Sequence, residues 1–342
     1  VSLRVLFVSD HGCIRVFKEA EALAQQGVRV DLTARVQPFG VNVFHTFSVH
    51  RDAESLKRVV ESSRADIVHV HNEPDWMVGA AREATQKPIV FDVHDLNSLR
   101  YLAAPDEHER RAFEAADGIV HVSDPCREAA ERHHGNGKPT GVLPCLVNER
   151  FLAEPLPAEP CWDSMVYEGG LDPRPVQNVG GKQVVSARAI HAAVQAFARA
   201  GYQPYLYPAT TTWNDPTYIY ESLGAVVAPG RLDYVSLLRA LRAYGYGFVG
   251  SPHDAPLMQA AMPNKLFEYI SQGVVPVVFN AGRAAAFVRE HGLGIVLEGL
   301  DNLREQLVPG PEVRRRILER RHEWTMERHI GAVTQVYQEV AA

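Results

Sequence analysis

The sequence lacks most features that would place a protein in an oxidising compartment, in a membrane or on nucleic acid. Its four cysteines, Cys13, Cys126, Cys145 and Cys161, are scattered, with no C-x-x-C pair. Without a secretory leader at the start, they read as reduced thiols of a cytoplasmic protein rather than as a disulfide framework. No apolar run reaches the roughly 18 residues of a membrane-spanning helix. Lys and Arg number 35 against 41 Asp and Glu, a formal net charge of −6, whereas a dedicated nucleic-acid binder carries a basic surplus. Signature loops are missing too. The turn Ser9-Asp10-His11-Gly12-Cys13 has one glycine, where a dinucleotide fingerprint needs three for the tight turn, the pyrophosphate approach and helix packing. Neither G-x-x-x-x-G-K-[ST] nor G-x-S-x-G occurs, which argues against a P-loop nucleotidase and an α/β-hydrolase. There is no Asp-x-Asp triplet either, so no acidic metal clamp is expected.

What is present is alternation. At 342 residues the chain suits two domains of roughly 100–200 residues each. Leu3–Ser9, Val28–Ala34, Asp66–His71, Pro88–His94 and Gly118–Ser123 are short, apolar and rich in β-branched residues, and a run near Val41–Val49 is a weaker strand. Between them Ile14–Gln26, Ala53–Ser63, Trp76–Gln86, His108–Ala116 and Pro125–His133 have helical composition. Such alternation predicts βαβ units around a buried parallel sheet. Val147–Ser164, with three prolines and little periodicity, reads as a linker. The pattern then restarts, with strands expected at 165–168, 203–207, 224–228, 246–249, 275–279 and 294–297. Helices are expected at 186–200, 216–223, 234–243, 263–271 and 284–290. The fold class is α/β, with two Rossmann-like domains facing a cleft: residues 1–150 and 151–322. Residues 323–342 form a C-terminal helix.

Several residues stand where chemistry is done. Gly12 either lets a backbone approach a ligand or makes a tight turn. His94 and Asp95 end the strand IVFDV, and ligands of open parallel sheets bind at that edge. An imidazole there hydrogen-bonds a hydroxyl or acts as a base; the plainer reading is a histidine satisfied by loop carbonyls. His69 and His71 share one sheet face by their period-two spacing, but no third ligand follows, so no metal is expected. Met262–Phe279 (MPNKLFEYISQGVVPVVF) is the most informative segment. Pro263 suits the first helical position. Asn264 and Lys265 then lie beside the exposed N–H groups and the positive dipole end, a natural diphosphate site. Glu268 sits about 6 Å further along on the same face, placed to accept both hydroxyls of a ribose. The plainer reading is an amphipathic helix with solvated Glu and Lys.

This segment resembles the nucleotide-sugar segment of GT-B glycosyltransferases, particularly the retaining family 4 (group 1). Other pieces agree in order: Gly12 and Arg15 with the helix and strand that follow, the strand Asp66–His71, the strand ending in His94-Asp95, the strand 116–123, and Val166–Leu171 with its Gly169-Gly170 turn. Trp324 and Tyr337 resemble the family's last helices, which return to the first domain. The resemblance implies a hexosyltransferase-like enzyme that moves a sugar from a UDP or GDP sugar to a hydroxyl acceptor (saccharide, lipid-linked or small molecule). It further implies retention, no metal and no cofactor beyond the donor. The donor-binding set is then Gly12, Gly169, Gly170, Pro263, Asn264, Lys265 and Glu268. His94 meets the reacting sugar, and Arg174 and Lys265 stabilise the leaving diphosphate. His11, Arg15, His71 and Asp95 are the acceptor-side candidates. Two departures are visible. A second glutamate, eight residues before Glu268 in the family, is Ala260 here, and Arg174, Lys182 and Arg188 compete as the diphosphate cation around an inserted-looking stretch, 172–183. A sugar-nucleotide epimerase and a non-catalytic nucleotide-sugar binder are the alternatives. Pro311–Arg328 carries six arginines and four glutamates. It reads as a solvated helix face or, less simply, as a basic face for anionic lipid at the inner side of a membrane. The expected partners are a nucleotide sugar and a hydroxyl acceptor, with no nucleic acid.

Overall fold

A computed structural model describes residues 2–179, 182–209 and 217–342, with side chains outside 177–185. Two compact units emerge, one from Val1–Asn148 with Thr325–Ala342, the other from Glu149–Trp324.

The first unit is built on seven parallel strands: β1 (Arg4–Ser9), β2 (Arg29–Ala34), β3 (Phe47–Val49), β4 (Ile67–His71), β5 (Ile89–Val93), β6 (Gly118–His121) and β7 (Thr140–Val142), in the order β3-β2-β1-β4-β5-β6-β7. The strands expected from apolar runs are present. The run near Val41–Val49 is a strand only at its end, preceded by a 3₁₀ turn at Val41–Val43. β7 has three residues, Thr140-Gly141-Val142, too few for any periodicity to show. Burial of β1, β4 and β5 is nearly complete, as a sheet covered on both faces requires. The helix Ile14–Gln25 hides nine residues, Lys18 and Glu19 among them.

The terminal residues complete this unit. Met326 N donates to Val147 O at 3.1 Å, and the helix Gly331–Val340 lies on β6 and β7. Glycine makes that approach possible: a Cβ on Gly141 would come 2.7 Å from Ala332 O, and one on Gly118 2.6 Å from Val336 Cγ1.

The second unit repeats the scheme. Its strands are β8 (Cys161–Gly169), a pair β9 (Val176–Val179) and β10 (Lys182–Val185), then β11 (Gln203–Pro208), β12 (Val226–Val227), β13 (Tyr244–Gly250), β14 (Val275–Phe279) and β15 (Ile295–Val296). Six form a parallel sheet, β12-β11-β8-β13-β14-β15, while β9 and β10 pair antiparallel as a separate hairpin. With the hairpin set aside, both sheets have the doubly wound order whose ligand edge lies at the carboxyl ends where strand order reverses. These switch points are β1/β4 and β8/β13.

Three expectations are corrected. The linker is shorter than 147–164, because Val147 and Asn148 are fully buried and the strand opens at Cys161, paired with Tyr244. The 186–200 helix begins only at His191. The basic face of 311–328 is largely turned inward or paired: Arg314 donates to carbonyls of Gly273, Ala158 and Pro157, Arg321 to Ser271 and Leu152, and Arg315 and Arg320 pair with Glu312, Glu319 and Glu323. Among the described residues no helix is long and apolar enough to cross a membrane.

Candidate functional site

In the second unit, β8 ends in Gly169 (φ +126°), and Gly170 follows. The helix Asn264–Ser271 aims its first turn at this bend. Pro263 is its N-cap, with ψ 145°, rather than its first helical residue; extended backbone at the proline starts the helix one residue later. Asn264 and Lys265 therefore hold the first two positions, whose N–H groups have no acceptor within a helix. Lys265 Nζ stands 3.9 Å from the centre of the Tyr167 ring and 3.1 Å from where a Cβ on Gly169 would be. Tyr167 in turn donates to Gly170 O at 3.0 Å.

Arg188 lies on the other side of the bend, its Cδ 2.8 Å from the position of a Gly170 Cβ. The hairpin explains how a residue so far along the chain arrives there. Ser186 N donates to Pro175 O at 2.8 Å and Asp172 N to Arg188 O at 3.2 Å, which closes the hairpin at its base and returns Arg188 to the turn. Arg174, nearer in sequence, is exposed. The Lys182 side chain lies outside the described residues. Among the described residues neither Lys265 nor Arg188 forms an ion pair with a carboxylate, so two cations bracket a glycine turn at a helix end. Glu268, one turn on, is 3% exposed. Tyr269 anchors this helix, accepting from Glu168 N at 3.2 Å and donating to Val166 O at 3.3 Å. Ala260, in the position of the family's second glutamate, closes the short helix Pro256–Ala260 and is 7% exposed.

In the first unit a buried ionic cluster lies beneath the β1/β4 edge. Register sets His71 opposite Asp92 on neighbouring strands, and the Ile14–Gln25 helix brings Arg15 and Glu19 over them. Arg15 grips Asp92 with two bonds of 2.9 and 3.0 Å, donates to Leu143 O at 2.8 Å and pairs with Glu19 at 2.8 Å. Asp92 Oδ2 also lies 3.1 Å from His71 Nδ1 and 3.3 Å from His94 Nε2. Further in, His69 stacks on His71 and meets Tyr337 Oη at 2.5 Å, which ties the C-terminal helix to the cluster.

The charges sort themselves. Burial would raise Asp92, but Arg15 and His94, with hydrogen bonds from His69 and His71, hold it well below the carboxylate range. Burial pushes Glu19 well above that range, opposed by Arg15. It also pushes His69 down, and His71 well below its ordinary value. His94 alone goes the other way: burial would lower it, yet Cys13 and Asp92 hold it well above 6.5. Thus His94 is the charged imidazole of the three.

Glu19, His69, His71 and Asp92 present ligand atoms within 4.8 Å of one another. They do not suit a divalent cation, because the Arg15 guanidinium already stands between the two carboxylates as the cation of the group.

The remaining candidates fall around this cluster. Gly12 (φ +54°) is packed against Pro38, where a Cβ would come within 2.5 Å. The tight turn and this contact account for the glycine. His11 is 78% exposed beside Asp10. Arg15 and His71 are buried, with their polar atoms directed into the domain. Asp95 pairs with Arg100, which also holds Glu73 at 2.8 Å. His94 keeps 16% of its side chain exposed, and its backbone N donates to Asn72 Oδ1 at 2.7 Å. Sequence reasoning missed Asp92 and Cys13; both precede or follow a named residue closely, but only strand register and the turn after β1 bring them to His94.

Residues 14–151 match the family model for Glycosyltransferase Family 4. No curated protein matches the chain by sequence. Solved structures are similar over nearly the whole length. Sucrose-phosphate synthase from Thermosynechococcus elongatus has 16% identity and a TM-score of 0.70, covering 99% of both chains. Anabaena HepE, solved with UDP, has 13% identity and a TM-score of 0.68 over 98% of both. WaaG, a glycosyltransferase of lipopolysaccharide biosynthesis, has 13% identity and a TM-score of 0.64 over 97% of this chain and 99% of its own. The two doubly wound units thus share the GT-B fold of these structures, and residues 14–151 carry the match to Glycosyltransferase Family 4.

Proposed function

We propose that the enzyme transfers a hexosyl group from a nucleotide-diphosphate sugar to a hydroxyl acceptor, with retention and without a metal ion. The observation that carries this reading is the Gly169-Gly170 turn bracketed by Lys265 and Arg188 at the head of the Asn264–Ser271 helix. A departing nucleoside diphosphate gains negative charge in the transition state. Two fixed cations and a helix end aimed at it stabilise that charge without reorganising. Glu268, one turn along, takes the ribose hydroxyls, and Arg188 takes the part that sequence proximity assigns to Arg174. UDP is the first nucleotide to try, since HepE was solved with UDP and with UDP-glucose.

On the first domain, His94 is the polar group at the sheet's ligand edge; its two ring nitrogens face Cys13 and Asp92, so it acts on the reacting sugar through its positive charge. A charged imidazole is a poor base, which agrees with a reaction that needs none at this position. Retention rests on the resemblance to family 4. The free thiols suit a reducing compartment, and we place the reaction in the cytoplasm.

Donor screening tests the proposal. UDP and GDP sugars are incubated with the protein in EDTA, and slow release of free nucleoside diphosphate is measured without acceptor. Release from one donor is expected. Nucleotide binding by calorimetry without release from any donor would favour a non-catalytic binder instead, and sugar interconversion with the diphosphate intact would favour an epimerase.

A further inference from the structure

Cys13 has no part in the donor chemistry, yet it is the best-placed nucleophile of the chain. It caps the Ile14–Gln25 helix just beyond β1. Its Sγ lies 3.7 Å from His94 Nδ1, and Nε2 of the same ring lies 3.3 Å from Asp92 Oδ2. Thiol, imidazole and carboxylate stand in series, the order of a cysteine nucleophile, its proton partner and the acid that orients it.

The surroundings favour charge separation in this pair. Arg15 bonds both Asp92 and Glu19, and burial pushes the His69 and His71 rings away from their charged forms. The charge that faces Sγ is therefore that of His94. The other cysteines differ. Cys126 is buried, and burial pushes its thiol up to about 11. Cys145 is buried beside Lys18 Nζ, at 3.6 Å, and Cys161 is exposed. Cys13 is partly exposed, which admits a small reagent.

We propose that Cys13 is a modification site: a thiolate paired with the His94 imidazolium that reacts with small electrophiles and hydroperoxides. Burial alone would raise this thiol, but the His94 charge and hydrogen bond, with backbone N–H groups of Val16 and Arg15, bring it below its ordinary value. With a hydroperoxide, the sulfur attacks one peroxide oxygen, an S–O bond forms and the O–O bond breaks. The leaving oxygen takes the Nδ1 proton of His94. Cys13 becomes a sulfenic acid, oxidised by two electrons, the hydroperoxide is reduced to an alcohol or water, and His94 is left neutral.

The test needs neither donor nor acceptor, so it is independent of the transferase reading. Full-length protein is alkylated with iodoacetamide at pH 6 and pH 8, and each cysteine is quantified by peptide mass mapping, with exposed Cys161 as the reference. A thiol of pKa near 8.5 slows about 75-fold from pH 8 to pH 6. Cys13 is expected to slow by a clearly smaller factor than Cys161, and the His94→Gln variant to restore the steeper dependence at Cys13 alone. Dimedone added after one equivalent of hydrogen peroxide should label Cys13 in the native chain and not in His94→Gln. The proposal is overturned if Cys13 slows in step with Cys161, stays unmodified at pH 8 while Cys161 reacts, or behaves the same in His94→Gln.

Discussion

Glu268 is almost wholly buried at 3% exposure, one turn along the helix from Lys265. Glu268→Ala should weaken UDP or GDP binding by about 2–4 kcal/mol, the value of two hydrogen bonds to a charged acceptor. Calorimetry reads this as roughly a 30- to 900-fold loss at an unchanged far-ultraviolet spectrum; equal affinity would remove Glu268 from the site. The cations differ from Glu268 in what they act on. Because diphosphate charge grows as the bond breaks, Lys265→Ala and Arg188→Ala should each lower kcat by about 100-fold or more. Arg174→Ala, an exposed side chain without a described ion pair, should leave kcat within about twofold. A large loss at Arg174 with none at Arg188 would reverse the assignment. His94 calls for a pH profile. Its folded pKa is raised well above 6.5 by Cys13 and Asp92 against the opposing effect of burial. The ring is therefore held toward its charged form, so kcat/KM should not fall as pH is lowered through 6.5 and should fall as pH is raised through the higher folded value. The same linkage gives its sign to stability: the contribution of His94 is fully present below the unfolded value and is lost as pH rises through the folded one. A fall in kcat/KM below an apparent pKa of 6–7 would instead mean a neutral His94 acting as a base.

At the scale of elements, packing of the C-terminal helix on β6 and β7 is open to a graded test. A Cβ on Gly118 would meet Val336 and Val340 methyl groups at 2.6 and 2.8 Å, side-chain atoms on a helix face that can shift slightly, whereas one on Gly141 would meet the Ala332 carbonyl at 2.7 Å, which is backbone. Gly118→Ala should cost about 1 kcal/mol and Gly141→Ala about 2–3 kcal/mol. Thermal unfolding followed by circular dichroism ranks them, and the reverse order would mean that the helix shifts as a body. How much of this was legible follows from length and connectivity. Long apolar strands such as β1, β4 and β5 announce themselves by composition, and so does the Asn264–Ser271 helix between its proline and Gly273. β7 does not, because three residues carry no period. Asp92 does not, because a carboxylate inside a strand gains meaning only when β4 sets His71 opposite it. Arg188 was one of three cations in the sequence; the closed hairpin base, Ser186 N to Pro175 O, is what singles it out over Arg174. What a sequence hides is register and closure, and the site is made of both.

For the molecule as a whole, the source of positive charge decides the class of mechanism. A glycosyl transfer from a nucleotide sugar needs a cation where the diphosphate departs, supplied either by a bound metal or by the protein. The second unit has Lys265 and Arg188 at the Gly169-Gly170 turn, with the helix dipole behind them. Among the described residues, the acidic and histidine side chains that could share an ion gather elsewhere, in the first unit's buried cluster, and there Arg15 already bonds Asp92 at 2.9 and 3.0 Å. A metal in that cluster would face a guanidinium at hydrogen-bonding range of its own ligands, a repulsion of several kcal/mol at low effective dielectric. Turnover should therefore be unchanged by EDTA and by added Mg²⁺ or Mn²⁺, and elemental analysis of the purified protein should find well under one transition metal per chain. Arg15→Ala separates the two roles of the cluster: it should lower thermal stability by about 3–5 kcal/mol, since it strands the buried Asp92 charge, without creating a metal requirement. Activity abolished by chelation and restored by Mn²⁺ would mean that the helix-end cations are not the leaving group's counter-charge, and the transferase would have to draw it from an ion.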